Sequence, residues 1–155
     1  KDICVVTNLP YYITSKIITK IVSSSTPINR LVAMVQKEVA LKLCSEEKSP
    51  LKMMIDYVGD VQYELNVPRH VFMPAPHVDS AVISIHKERV ISQELIDLIE
   101  ASYTAKRKTL YNNLKSLYHD QTKELLESCG IPANKRAEEL NIDDYIRILE
   151  RSHTL

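Results

Sequence analysis

The chain has 155 residues, a formal net charge of zero and 45% hydrophobic residues. That is ordinary composition for one compact domain, or for one domain with a small appendage. It excludes an argument for a polyanionic partner from overall charge, and no apolar run reaches membrane-spanning length. The three cysteines, Cys4, Cys44 and Cys129, are far apart and form no CxxC or zinc spacing, so they read as reduced core thiols of a cytosolic protein. Only two glycines occur, Gly59 and Gly130, where average usage of about 7% would give roughly ten. No glycine-rich turn for gripping a nucleotide phosphate is present.

Residues 3–6 (ICVV) are short, β-branched and apolar, the pattern of a buried strand. Residues 13–24 place Ile13, Ile17 and Ile21 on one helical face, with Ile18 and Val22 beside it, and a Ser/Thr/Pro loop follows. Residues 30–35 (RLVAMV) read as a second buried strand, and a helix runs from about Gln36 to Cys44. Residues 50–58 read as a helix with Pro50 at its start. Residues 61–67 and 78–86 alternate as strands, separated by PRHVFMPAP, whose three prolines bar it from a central ladder. The order predicts the second half of an α/β sheet, parallel strands first and an antiparallel pair last.

After about Arg89 the pattern becomes helical. Ser92 can cap a helix carrying Leu95, Ile96, Ile99 and Tyr103, and a second helix carries Leu110, Leu114 and Leu117. A third, residues 122–129, stops at Gly130 with Pro132 beyond it. Asn141 can cap a last helix whose apolar face is Tyr145, Ile146 and Leu149. Residues 1–90 and 91–155 are therefore expected to be two domains, the second all-helical.

Three constellations carry chemistry. Asn8-Leu9-Pro10-Tyr11 closes the first strand, and ligands in open α/β sheets bind beyond the carboxyl ends of strands. An amide oxygen and a backbone carbonyl can accept both hydrogens of an amino group, proline stiffens the turn, and a tyrosine ring can stack on a base. An ordinary strand-to-helix turn explains the same four residues equally well. Phe72, the only phenylalanine, is held by Pro74 and Pro76 and could face a base from a second side, although a core position is the commoner fate of such a ring. Finally, Lys106, Arg107, Lys108 and Lys115 are the only charged residues between positions 101 and 119, with Asn112, Asn113, Tyr103 and Tyr111 among them. That is a phosphate-contacting face or a solvated helix face. The five histidines show no metal spacing, and Asp79-Ser80 reads as a structural strand start.

The blocks NLPYYITSKIITKIV, MVQKEVALKL, VFMPAPHVDSAVI, KRKTLYNNL and RAEELNIDDYIRI, in this order, closely resemble the small-subunit ribosomal RNA adenine dimethyltransferases of the KsgA type. The resemblance implies the C-terminal half of a Rossmann-like methyltransferase sheet plus a small all-α domain that binds rRNA. It implies transfer of methyl groups from S-adenosylmethionine to the exocyclic amines of two adjacent adenosines in small-subunit rRNA, on an immature small ribosomal subunit in the cytoplasm, with no metal and no membrane. It assigns Asn8, Leu9, Pro10 and Tyr11 to the target amine and base, Asn8 also to the cofactor's side, and Phe72 to the opposite face of the base. Lys106, Arg107, Lys108 and Lys115 become RNA contacts. The chemistry is consistent: an adenine amine is a poor nucleophile, and acceptors at Asn8 Oδ1 and a backbone carbonyl stabilise the charge that develops on it.

Family members begin with further residues that hold the glycine-rich cofactor loop. The chain is therefore expected to be an inactive fragment, with an exposed sheet edge open to self-association. Residues 48–52 (KSPLK) replace a Tyr-Gly-x-Leu-Ser stretch, and Lys106 replaces a common arginine. The alternative is a non-catalytic RNA-binding or ribosome-assembly module of the same fold. Methylation of large-subunit RNA, as in antibiotic resistance, is disfavoured by Leu9 and the VDSAVI block.

Overall fold

The computed structural model of the chain describes residues 2–8 and 10–155, with the side chain of Tyr11 outside the description. Two compact units are present: Lys1–Glu47 with Ile55–Ile91, and Lys48–Met54 with Ser92–Leu155.

The first unit is a four-stranded sheet carrying helices on one face. Its strands are β1 (Ile3–Asn8), β2 (Ile28–Gln36), β3 (Gly59–Val67) and β4 (Ser80–Lys87), in the spatial order β1-β2-β4-β3. β1 and β2 are parallel, with Asn8 opposite Met34. β4 then runs antiparallel to both β2 and β3, placing Ser80 beside Gln36 and beside Val67. The mixed arrangement is the expected one, with β4 inserted between its predecessors.

Alternation sets the core. Leu31, Ala33 and Val35 of β2 and Ala81, Ile83 and Ile85 of β4 are buried on one face, where α1 (Thr14–Val22) and α2 (Lys37–Cys44) pack. On the other face Arg30, Val32, Asp60, Gln62, Glu64, Val82, Ser84 and His86 line a shallow concavity of about 350 Å³. β1 departs from expectation. It reads as a buried strand but is an edge strand paired only with β2, and Val6 is 74% exposed. Apolar β-branched composition satisfies a half-covered edge as well as a covered centre. α1 also turns differently: Thr14, Ile18 and Val22 form its buried stripe, and Ile13, Ile17 and Ile21 stand half-buried beside it.

Lys87 is 5% exposed at the end of β4. Its Nζ donates to the carbonyls of Ile21 (3.0 Å) and Ser24 (3.1 Å), so a buried cation closes the C-terminal end of α1. Burial lowers its pKa. Gly59 is required where β3 meets β4, because a Cβ there would run into the His86 carbonyl.

The helix α3 (Pro50–Val58) is shared by the two groups of residues. Ser49 caps it: its Oγ accepts from Lys52 N (3.1 Å) and its carbonyl from Met53 N (3.0 Å). The KSPLK segment thus starts a helix with Pro50 at its first position.

The second unit is helical: α4 (Gln93–Ser102), α5 (Leu110–Tyr118), α6 (Thr122–Ser128) and α7 (Ile142–Ser152). Ser92, Thr109 and Asn141 accept from Leu95 N, Asn112 N and Asp144 N as side-chain N-caps. Asp144 returns a bond to Asn141 N at 3.0 Å, completing a capping box. α6 stops at Gly130, whose φ of +70° suits glycine. Tyr145 and Ile148, rather than Ile146 and Leu149, form the buried stripe of α7. Leu117 is exposed, so α5 buries Leu110, Asn113 and Leu114 instead. Cys129 is buried as expected, but Cys4 and Cys44 are exposed. The five histidines are exposed.

Candidate base-binding and RNA-binding sites

The turn after β1 is built by Pro10. Its carbonyl accepts from Ile13 N (3.2 Å) and from Thr14 Oγ1 (3.1 Å), joining the strand end to the 3-10 turn Tyr11–Ile13 and to α1. Asn8, the last residue of β1, is exposed and follows the alternation of Val6, so both lie on the sheet's uncovered face. Leu9 and the Tyr11 side chain, both assigned to the base, lie outside the described residues. Tyr12, the second tyrosine, is exposed.

Phe72 caps the 3-10 turn Arg69–Val71, and its N–H donates to the Arg69 carbonyl at 3.3 Å. It is half-buried, not a core residue, and its neighbour Met73 is 98% exposed. The segment leaves β3 after Val67 and enters β4 at Ser80. Because β4 is antiparallel to β2 and β3, the carboxyl ends of β1, β2 and β3 share one end of the sheet with the start of β4. Asn8 and Pro10 thus emerge at the same end as FMPAP, more than 60 residues away in sequence. Two strand spacings, with β2 between them, separate β1 from β4, roughly 10 Å.

Lys106, Arg107 and Lys108 are exposed in the turn between α4 and α5, not on a helix face. Asn113 fixes that turn. It is 7% exposed, and its Nδ2 donates to the carbonyls of Ser102 (2.8 Å) and Ala105 (3.1 Å). Asn113 is therefore a support and not a surface contact. Tyr103 is likewise occupied, its hydroxyl donating to the Ala137 carbonyl at 3.4 Å, and burial raises its pKa. Tyr111 faces Lys115, whose Nζ lies 4.8 Å from the ring centroid.

Two cations join this turn from elsewhere. Leu110 N donates to the Lys135 carbonyl at 2.6 Å, which brings Lys135 and Arg136 to the start of α5. Spacing gave no sign of them; the adjacent pair of positive charges was the available signal. Glu139 lies beside them, its carboxyl held below the usual range by the Arg136 N–H. Among the described residues no group of three or more His, Cys, Asp or Glu is placed to hold a metal ion, and no helix is long and apolar enough to cross a membrane.

Residues 1–153 match the family described as Ribosomal RNA adenine dimethylase. The chain belongs to this family. The Ribosomal RNA small subunit methyltransferase A of Fusobacterium nucleatum is 37% identical over 94% of the chain, and that of Mesoplasma florum 33% over 98%. The chain spans 60% and 61% of their lengths. The crystal structure of a dimethyladenosine transferase from Plasmodium falciparum superposes with a TM-score of 0.83 at 23% identity, covering 98% of the chain and 67% of that protein. The 23S rRNA methyltransferase ErmE follows at a TM-score of 0.67 and 21% identity, covering 97% and 65%. The fold is thus that of the Rossmann-like methyltransferases, represented in the dimethylase chain by one stretch of the sheet and a helical unit.

Proposed function

We propose that this chain is the target-binding and RNA-binding part of an S-adenosylmethionine-dependent enzyme that dimethylates N6 of two adjacent adenosines in small-subunit rRNA. The work takes place on immature small subunits in the cytoplasm. The observation that carries the reading is the emergence of Asn8, Pro10 and FMPAP at one end of the sheet, at the carboxyl ends of β1, β2 and β3.

The chain's own residues do three things in this reading. Asn8, exposed at the strand end, offers a carboxamide oxygen to the amine N–H, and the Leu9–Pro10 backbone supplies the second acceptor through Leu9, because the Pro10 carbonyl already accepts from Ile13 N and Thr14 Oγ1. Tyr11 and Phe72 hold the flipped base by its two faces. The basic turn at residues 106–108, with Lys115 and Arg136, holds the phosphate backbone. Residues 1–90 form the target-binding domain and residues 91–155 the rRNA-binding one.

The residues present do not by themselves fit the methyl donor. Gly59 is consumed by the β3–β4 approach and Gly130 by the end of α6, which leaves no glycine turn to cradle a nucleotide. In this reading Asn8 is the one residue of the chain on the cofactor's side, and the isolated chain is inactive.

The test uses undermethylated small subunits and S-adenosylmethionine. The native polypeptide that carries this sequence yields two dimethylated adenosines per subunit, and the 155-residue chain binds the subunit without methylating it. Binding with no methylation by the native polypeptide would select the assembly-module reading. Robust methylation by the isolated chain would contradict both the division of labour and the mechanism.

A further inference from the structure

We infer that Asp79 is the positioning residue of the base site: its carboxylate sets where the Phe72 ring stands. The inference rests on the assignment of Phe72 as one wall of that site. The segment between β3 and β4 has little burial of its own. Val71 and Met73 are exposed and Phe72 is only half-buried, so packing alone leaves the ring poorly fixed. What fixes it is a pair of ties across the neck of the loop. Asp79 Oδ1 accepts from the backbone N–H of Arg69 at 2.8 Å, and Arg69 Nη1 donates to the His77 carbonyl at 3.3 Å.

Asp79 is itself tied to the sheet. Its carbonyl accepts from Lys37 N at 3.0 Å, the first residue of α2, and the next residue, Ser80, is in register with Gln36. The carboxylate therefore projects from a fixed point of the sheet and grips the first residue of the 3-10 turn. Phe72 N–H bonds back to the carbonyl of that same Arg69, so one backbone unit links Asp79 to the ring-bearing residue. A charged acceptor on an N–H is roughly twice as strong as a neutral one, which suits an acidic residue to this task. Asp79 thus acts through Phe72.

Phe72 is the only phenylalanine of the chain, so incorporation of 4-fluorophenylalanine gives a single ¹⁹F resonance from the ring in question. In Asp79→Ala the resonance moves toward the position of the free amino acid, while the far-UV melting curve stays near that of the parent. Asp79→Asn, which keeps an acceptor oxygen, restores it. Asp79→Glu, which keeps the charge and displaces the oxygen by one methylene, shifts it partway, and serves if the alanine variant does not fold.

In parallel, a short RNA with 2-aminopurine flanked by uridines reports stacking by loss of fluorescence. Quenching falls to less than half in Asp79→Ala, recovers in Asp79→Asn, and the affinity set by the basic turn is unchanged. An unmoved ¹⁹F resonance in Asp79→Ala and Asp79→Glu would overturn the inference. Unchanged quenching in Phe72→Leu would instead overturn the assignment of Phe72 to the base, whatever the resonance shows.

Discussion

Tyr145 is the largest fully buried side chain among the described residues, and its hydroxyl lies 2.9 Å from Ser102 Oγ and 3.5 Å from the Ala137 carbonyl. Burial pushes its pKa well above 10, the ordinary value, and burial also raises Tyr103 and Tyr118. A pKa raised in the folded state gives a stability contribution that is complete below the unfolded value near 10 and is lost as pH rises beyond it. The slope for one such tyrosine is about 1.4 kcal/mol per pH unit. Urea midpoints of the wild type should therefore fall from about pH 10 upward. In Tyr145→Phe the fall should be shallower, from a starting stability lower by about 1 kcal/mol for the lost hydrogen bond. Parallel declines in the two proteins would place the alkaline lability elsewhere. The identity of Tyr145 as an apolar-face residue was legible in the sequence. Its bond to Ser102 was not, because nothing local marks a partner 43 residues away.

At the scale of elements, caps were the most legible features. Ser92, Asn141 and Gly130 do at the helix ends what their chemistry suggests. Helical stripes were less so: α1 buries Thr14 in line with Ile18 and Val22, because a threonine whose hydroxyl bonds the Pro10 carbonyl can be buried without penalty. The basic cluster was found by composition, with a phosphate-contacting face and a solvated helix face as its two readings; Lys115 stands on α5, whereas Lys106, Arg107 and Lys108 do not. Those three lie in a turn braced from within by Asn113, and a charge count cannot distinguish a turn from a helix face. Binding of this chain to small-subunit rRNA should weaken with salt. Replacing Lys106, Arg107 and Lys108 with alanine should reduce the slope of log K against log salt by about 2–3. Asn113→Ala, which frees the turn without removing charge, should lower affinity and leave that slope nearly intact. An unchanged slope in the triple variant would show that the RNA is held elsewhere.

For the molecule as a whole, the sheet was legible in class and strand order of appearance, and so was an exposed edge; that β1 forms this edge was not. A β-branched apolar run looks the same at the centre of a sheet and at its border, and only pairing reveals which. β1 has one paired side and an exposed Val6. Such an edge invites another strand. Sedimentation velocity should show concentration-dependent association of this chain, and Val6→Lys should shift it toward monomer. A monomer at all concentrations would remove self-association from the account.

The proposed contact between Asn8 and the target amine can be tested directly. The native polypeptide carrying Asn8→Ala should be assayed on undermethylated small subunits, with dimethyladenosine counted by mass spectrometry. Loss of one preorganised acceptor at the developing charge predicts a rate lower by about 10²–10³ with subunit binding unchanged. Methylation at the wild-type rate would contradict the placement of the amine at the end of β1, and with it the site built around that strand.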